Sequence, residues 1–289
     1  MTGRASNHVT IVEMAPRDGL QNEERQIDTQ DKIKLVDLLS DCGFERIEVT
    51  SFVSPKWVPQ LADAAEVMAR IKRKPGVTYA VLTPNMRGLE AALAAGAGEV
   101  AIFASASESF SMRNINCSIA ESIERFRPVA EACRNRGIPL RGYVSCVVDC
   151  PYDGTRSPGN AASVAGVLGG LGCYEISLGD TIGKGMPEAV NRMLEAVLGE
   201  LPATMLAGHF HDTSGRALDN IAVALERGLR VFDAAAGGLG GCPFAPGAKG
   251  NVDTVAVHDY LTAQGFETCL DEEKLTHAAA FARSLRSAA

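Results

Sequence analysis

Two histidines separated by a single residue give the sequence its clearest chemical signal. His209 and His211 belong to the segment HFHD (209–212). In a β-strand, residues two apart point to the same side, so both imidazoles can face one cavity. Such a pair can chelate a divalent ion, or it can be two hydrogen-bonded interior histidines. Asp18 and Asn251 lie near predicted strand ends and add oxygen donors, and the set predicts an open Mg²⁺ or Mn²⁺ site.

A second candidate group consists of Arg17, Asp18 and Glu48. Arg17 and Asp18 follow the first predicted strand, and taken alone they could form an ordinary surface ion pair. Glu48 lies one strand away at the same height, where it can hold Arg17 in place. A guanidinium fixed in this way presents a permanent positive charge to a developing enolate oxygen. We therefore predict that Arg17 stabilises an enolate and that Glu48 supports Arg17.

One of the eight cysteines, Cys242, lies in the glycine- and proline-rich segment GGLGGCPFAPG (237–247). No two cysteines form a CxxC pair, and most of them are typical of reduced core thiols in a cytosolic protein. A thiol on a Gly/Pro loop can be exposed, close over a substrate and titrate in a useful range. We predict that Cys242 has a functional role. The alternative is a loop thiol without a catalytic role.

Alternating strand-like and helix-like segments must position these residues. Strands are predicted over 9–13, 46–50, 78–82, 99–104, 139–147, 173–178, 205–211 and 230–235. Amphipathic patterns predict helices over 30–42, 62–73, 86–96, 118–136, 160–171, 187–200, 216–228 and 252–264. Eight strand–helix units favour an α/β fold closed into a (β/α)8 TIM barrel. A Rossmann sheet is the alternative, but no GxGxxG follows the first strand.

A single catalytic domain accounts for all 289 residues. We predict a barrel over about 8–265 and a helical extension over 266–289, which contributes an additional C-terminal helix. In TIM barrels the active site lies at the C-terminal ends of the strands. Besides the residues already named, Tyr143, Ser145 and Asp180 lie at these ends and are candidates for the site.

Composition excludes several classes of function. The chain has 28 Lys and Arg against 35 Asp and Glu, a formal net charge of −7, and its basic residues are scattered. This balance argues against nucleic acid as a partner. The apolar runs fall short of the ~18 residues of a membrane helix, and the first residues lack the apolar stretch of a secretion signal. We expect a cytoplasmic protein that does not enter a membrane.

The combined motifs resemble those of the 3-hydroxy-3-methylglutaryl-CoA lyases, a family of DRE-TIM metallolyases. The similarity runs over nearly the whole chain. Its segments are RDGLQNE (17–23), IEVTSFVSPKWVPQ (47–60), VLTPN (81–85), NINCSI (114–119), RGYVSC (141–146), CPY (150–152), GCYEISLGDTIG (172–183), HFHDT (209–213) and GGLGGCPFAPGAKGN (237–251). A lone RDG or HxH motif would be far less specific.

The resemblance implies a role for each matched residue. It places a divalent metal, Mg²⁺ or Mn²⁺, on Asp18, His209, His211 and Asn251, and it assigns catalytic roles to Arg17, Asp18, Glu48 and Cys242. Residues implied in substrate binding are Arg17, Gln21, Tyr143 and Asp180 in the pocket and Asn114 and Arg141 at the CoA end. The implied reaction splits an acyl-CoA, 3-hydroxy-3-methylglutaryl-CoA, into acetyl-CoA and acetoacetate in leucine degradation and ketone-body formation. A homodimer is also expected.

The residue types agree with this chemistry. A metal that chelates the tertiary hydroxyl and the carboxylate makes the hydroxyl acidic, and Arg17 stabilises the enolate left after the carbon–carbon bond breaks. Cys242 can carry the proton, and Asp18 is the other candidate base, although metal ligation lowers its basicity.

Three positions depart from the family pattern. Glu24 stands where relatives often have a lysine that could pair with a CoA phosphate, Ser214 replaces the usual tyrosine, and Val255-Ala256 replaces a common acidic pair. The alternatives are therefore the same chemistry on a longer 3-alkylglutaryl-CoA or on citramalyl-CoA, and a Claisen-condensing synthase relative. A barrel retained only for binding is a further alternative, which the complete metal set argues against.

Overall fold

The computed structural model describes residues 7–240 and 250–286. Eight parallel strands form the sheet at its centre: β1 (Thr10–Glu13), β2 (Arg46–Ser51), β3 (Thr78–Leu82), β4 (Glu99–Ser105), β5 (Leu140–Ser145), β8 (Glu175–Asp180), β9 (Leu206–Phe210) and β10 (Val231–Ala234). They close into a barrel in the order β1-β10-β9-β8-β5-β4-β3-β2. Two short segments, β6 (Asp149–Cys150) and β7 (Gly154–Thr155), form a separate antiparallel pair. The predicted TIM barrel is confirmed.

Helices follow the strands and surround the barrel. They are α1 (Thr29–Ser40), α2 (Ala64–Arg70), α3 (Met86–Ala94), α4 (Glu108–Ile115), α5 (Ile119–Arg136), α6 (Pro158–Leu171), α7 (Pro187–Leu198), α8 (Ala217–Glu226), α9 (Thr254–Ala263) and α10 (Glu272–Ser284). Among the described residues, no helix combines the length and apolarity needed to cross a bilayer. The additional C-terminal helix is present as α10.

The bounds of two predicted strands differ from the structure by two residues at one or both ends, whereas the other six agree to within one residue. The strand predicted over 139–147 ends at Ser145, because Cys146 adopts a left-handed conformation with φ 57°. The strand predicted over 173–178 is displaced to Glu175–Asp180. The backbone of Cys173 still caps α6, since its N–H donates to the Leu168 carbonyl at 3.2 Å. This shift makes Asp180 the last residue of a strand.

The main apolar core lies between the strands and the helices, whereas the barrel interior combines buried ionic side chains with a small apolar cluster that includes Met14 and Leu82. Arg141 on β5 contacts Asp233 on β10, and two strands separate these elements in the barrel order. Tyr143 on β5 likewise contacts Glu48 on the opposite side, on β2. Such contacts can be made only through the interior, so the side chains that cross the barrel support the residues at its C-terminal end.

Helix α10 contacts the turn Ala236–Gly238 that follows β10. Gly237 has φ 72°, and a Cβ at this position would lie 2.9 Å from the Ala279 carbonyl oxygen on α10. Arg286 donates to the Gly238 carbonyl. The C-terminal helix therefore packs beside the start of the glycine-rich segment as well as against the outer helix α1.

Candidate active site

Three candidate metal ligands converge at the C-terminal end of the barrel. One ligand atom from each of Asp18, His209 and His211 lies within 4.8 Å of the other two. The two histidine Nε2 atoms are 3.3 Å apart, and His209 Nε2 lies 3.9 Å from Asp18 Oδ2. His209 is on β9 and His211 follows the strand directly, so the two-residue period turns both rings to one side. Nitrogen and carboxylate donors facing one another at these distances fit a divalent cation.

The electrostatics of the two imidazoles differ. Burial, followed by the neighbouring His209, lowers the pKa of His211 to about 4, so this ring is neutral at pH 7, as a metal ligand must be. The His211 Nδ1 atom is buried and has no hydrogen-bond partner among the described residues. Burial also lowers the pKa of His209, but hydrogen bonding and the negative charge of Asp233 outweigh burial and raise it.

Asp18 lies on a π-helical turn, Ala15–Gly19, directly after β1. Its carboxylate contacts Arg17, and Asn251 Nδ2 donates to Asp18 Oδ2 at 2.8 Å. Burial raises the pKa of Asp18, but the charges of Arg17 and the two histidines outweigh burial and hold it well below its usual range. The carboxylate is therefore ionised and a weak base. Asn251 lies beside it with its amide nitrogen facing the carboxylate.

Arg17 is buried, with only 6% of its surface exposed, so it does not form an ordinary surface ion pair. Its Nε and Nη2 atoms donate to Glu48 Oε2 at 2.9 and 2.8 Å, and Tyr143 OH donates to the same oxygen at 3.0 Å. The pairing of β2 with β3 shifts by one residue after Glu48, which is a bulge of the kind found beside active sites. The predicted support of Arg17 by Glu48 is present.

A cleft of about 1010 Å³ opens above these residues. Its lining includes the predicted residues Arg17, Asp18, Gln21, Asn114, Tyr143, Ser145, His209 and His211. At the outer rim lie Glu24, Arg113 and Trp57, and Trp57 is 82% exposed. Most of the residues predicted to bind substrate therefore share one cavity with the candidate metal ligands.

Two predicted substrate residues do not line this cleft. Arg141 is 1% exposed and lies inside the barrel, where Nε donates to Glu175 Oε1 and Nη2 donates to Asp233 Oδ1, both at 2.7 Å. The prediction that Arg141 holds the CoA end is wrong, because its guanidinium lies inside the barrel and donates to buried carboxylates. Asp180 is fully buried behind the cleft, where its Oδ2 accepts from Gly185 N at 2.8 Å.

Cys242 lies outside the described residues. Gly240, two residues before Cys242 in the sequence, has φ 97°, and a Cβ there would lie 2.6 Å from Asn251 Nδ2. Glycine is therefore required where the chain passes Asn251.

Asp233 is a site residue that sequence reasoning missed. It accepts a hydrogen bond from His209 Nδ1 at 3.1 Å on the side of the ring opposite the cleft. Its signal in the sequence is an acidic residue inside the apolar strand segment RVFDAA (230–235).

Comparison with known protein families shows which family the chain belongs to. The HMGL-like family model matches residues 8–282. The chain belongs to the HMGL-like family. A relative from Pseudomonas aeruginosa, named 3-hydroxy-3-isohexenylglutaryl-CoA/hydroxy-methylglutaryl-CoA lyase, is 56% identical over 270 residues, which are 93% of this chain and 90% of that protein.

Solved structures of the same family superpose closely. The HMG-CoA lyase from Brucella melitensis is 66% identical, with a TM-score of 0.96 over 96% of this chain and 99% of that one. An HMG-CoA lyase from Acinetobacter baumannii in complex with coenzyme A and 3-methylmalate is 37% identical, with a TM-score of 0.92 over 98% of this chain and 93% of that one. Names of other HMGL-like relatives include both mitochondrial and cytoplasmic forms.

Proposed function

We propose that this HMGL-like protein is a divalent metal-dependent lyase that cleaves 3-hydroxy-3-methylglutaryl-CoA to acetyl-CoA and acetoacetate. The observation that carries the proposal is the convergence of Asp18, His209 and His211 with the buried guanidinium of Arg17 in one cleft. The names of the relatives support the substrate. Leucine degradation and ketone-body formation are the processes that this reaction would serve.

The metal would be held by Asp18, His209 and His211, with Asn251 as a fourth ligand. Half a turn about the Cβ–Cγ bond of Asn251 exchanges the positions of its amide oxygen and nitrogen, which would turn the oxygen toward the carboxylate and the histidines. A bound Mg²⁺ or Mn²⁺ supplies Lewis-acid chemistry that makes the tertiary hydroxyl of the substrate more acidic. We propose Mg²⁺ or Mn²⁺ because oxygen and imidazole ligands without sulfur suit these ions.

Arg17 would stabilise the negative charge that forms as the bond between C2 and C3 breaks. The proton leaves the C3 hydroxyl, C3 becomes the ketone of acetoacetate, and the electron pair forms the thioester enolate. Within the described ranges, three of the five N–H groups of Arg17 donate to Glu48 and Asp18, so two remain for the enolate oxygen. Glu48 and Asp18 fix the guanidinium before the reaction begins, which is the requirement for electrostatic catalysis.

Proton transfer needs a second group. Asp18 is a poor base because Arg17 and the histidines hold its pKa well below the usual range. This favours Cys242 for both transfers: its thiolate takes the proton of the C3 hydroxyl, and the resulting thiol returns that proton to the enolate carbon to give acetyl-CoA. The assignment of Cys242 rests on its glycine- and proline-rich sequence context.

A longer 3-alkyl substituent is the second candidate for the substrate. The Pseudomonas aeruginosa relative is named for both an isohexenyl and a methyl substrate. The cleft has an apolar wall formed by Leu82 and Phe103, and contact with such a wall stabilises an alkyl chain. The CoA arm would extend past Gln21 and Asn114 toward the rim. Citramalyl-CoA lacks a long alkyl chain and would gain less from this wall.

The function can be tested with purified protein and a panel of CoA thioesters. We expect acetyl-CoA to be released from 3-hydroxy-3-methylglutaryl-CoA in the presence of Mg²⁺ or Mn²⁺ and not after EDTA treatment. Higher kcat/KM with a 3-isohexenyl substrate would assign the longer substrate instead. Absence of cleavage for every thioester, with metal bound, would contradict the proposal.

The homodimer, the cytoplasmic location and the single domain over 1–289 stay predictions. Size measurement, cell fractionation and limited proteolysis, respectively, can test them.

A further inference from the structure

Behind the candidate metal site lies a buried carboxylate that faces no solvent. Asp233 on β10 is 2% exposed, and its Oδ2 atom lies 3.1 Å from His209 Nδ1. The other ring nitrogen of His209 faces His211 and Asp18. His209 is thus placed between the carboxylate of Asp233 on one side and the candidate metal ligands on the other.

This contact determines which nitrogen of His209 carries the proton. Both oxygens of Asp233 accept hydrogen bonds from the guanidinium of Arg141, and Oδ2 also accepts from the Ser177 hydroxyl, so the carboxylate acts as an acceptor toward His209 as well. The proton of a neutral His209 must then be on Nδ1. The lone pair of Nε2 is directed at Asp18 and His211, as a metal ligand requires.

Asp233 is itself fixed in place by two donors. Arg141 Nη2 donates to Oδ1 at 2.7 Å and Arg141 Nη1 donates to Oδ2 at 3.2 Å. Ser177 on β8 donates to Oδ2 at 2.7 Å. Both oxygens are therefore occupied, and the carboxylate cannot rotate away from His209 without losing a charge-assisted hydrogen bond.

Arg141 also connects to the other half of the site. Its Nη1 atom donates to Tyr143 OH at 2.7 Å, and Tyr143 donates to Glu48, which holds Arg17. On its other edge Arg141 is paired with Glu175. A continuous buried chain of hydrogen bonds thus joins the histidine side of the cleft to the guanidinium side.

We propose that Asp233 is a positioning residue for His209, that Ser177 and Arg141 orient it, and that this arrangement directs Nε2 of His209 to the metal. The inference rests on the proposed function for the identity of the reaction, whereas the ring orientation is independent of catalysis. An ion pair retained only for barrel stability would not determine which ring nitrogen of His209 carries the proton.

The Asp233→Asn variant distinguishes a role in positioning His209 from a role in barrel stability alone. An amide has one acceptor oxygen, and the charge of Arg141 favours turning that oxygen toward the guanidinium. The amide N–H groups then face His209 Nδ1, and the proton moves to Nε2, where it blocks metal binding. We expect the Mn²⁺ Kd, measured by electron paramagnetic resonance of free Mn²⁺, to rise about 10–100-fold, the range typical of lost outer-shell partners.

Asp63→Asn is the matched control. Asp63 pairs with buried Lys32 at 2.9 Å in the helical layer, so this variant loses the same kind of ion pair away from the cleft. We expect a lower melting temperature and a Mn²⁺ Kd within twofold of the unmodified protein. Equal Mn²⁺ Kd values for Asp233→Asn and Asp63→Asn would overturn the inference.

Two further measurements apply if Asp233→Asn does not fold. Ser177→Ala keeps every charge, and we expect it to raise the Mn²⁺ Kd about threefold because one hydrogen bond to Asp233 is lost. Nitrogen-15 histidine spectra of the unmodified, metal-free protein, at a pH where the ring is neutral, should show His209 protonated on Nδ1. Protonation on Nε2 would overturn the inference. Failure of the unmodified protein to bind Mn²⁺ with the Nδ1 form present would instead contradict the proposed function.

Discussion

Replacing Arg17 by glutamine isolates the charge that we assign to enolate stabilisation. The guanidinium is fixed by three hydrogen bonds, and its two remaining N–H groups are directed at substrate in the proposed reaction. Loss of one fixed stabilising group typically lowers kcat by ~10²–10³, or about 2.7–4 kcal/mol of transition-state free energy. We expect Arg17→Gln to lower kcat by this factor and to leave KM nearly unchanged, because the charge develops only after binding.

The assay follows acetoacetate by its reduction with NADH at saturating Mg²⁺. The Mn²⁺ Kd of the variant must be measured alongside, since Arg17 also contacts Asp18. Arg113→Gln is the matched control, because Arg113 lines the rim of the same cleft. We expect it to raise KM through weaker CoA binding and to change kcat little. A decrease in kcat of less than tenfold for Arg17→Gln, with metal bound, refutes the assignment of Arg17.

Three further predictions concern the loop thiol, the rim and a buried acid. Cys242 should be alkylated by iodoacetamide faster than exposed Cys269 and be protected by substrate, and Cys242→Ser should lose most turnover; a serine variant with near-normal kcat would return proton transfer to Asp18. Glu24→Lys should lower KM for the CoA substrate severalfold by pairing with a phosphate, and an unchanged KM at low salt would place the CoA phosphates elsewhere. Burial raises the pKa of Glu13 from 4.5 to about 7, so the folded state binds more protons than the unfolded state between these values. Stability attributable to Glu13 is therefore full below pH 4.5 and declines by on the order of 3 kcal/mol as the pH rises to 7. Glu13→Gln should lack this decline in urea unfolding, and identical pH profiles for the two proteins would contradict it.

The candidate metal ligands could be located in the sequence because their arrangement follows from local rules. The period of two in a strand places His209 and His211 on one side whatever the surrounding fold, and barrel topology brings the end of the first strand near the seventh. The position of Asp18 follows from these two facts. The predicted strand boundaries are accurate to about two residues. Helix α4 was missed because one helix was expected between consecutive strands, whereas both α4 and α5 lie between β4 and β5.

Arg141 and Asp233 show what the sequence does not reveal. They are separated by 92 positions, and no local pattern indicates that they meet across the barrel interior. The strand period alone could have indicated that Arg141 and Tyr143 share a face, but not whether the partners of Arg141 are carboxylates of the protein or phosphates of a ligand. Only the closed barrel, in which Glu175 and Asp233 face the same interior, decides between these alternatives.

In the proposed mechanism, Asp18, His209 and His211 hold the divalent cation that the lyase reaction needs, and every other step depends on this metal site. Titration of the metal-free protein with Mn²⁺, with binding and acetyl-CoA release measured on the same samples, tests it directly. We expect one Mn²⁺ per chain, activity that rises in proportion to occupancy, and loss of both in His209→Ala and His211→Ala, with the barrel still folded. Full activity in the metal-free protein, or Mn²⁺ binding that survives both substitutions, would contradict the account.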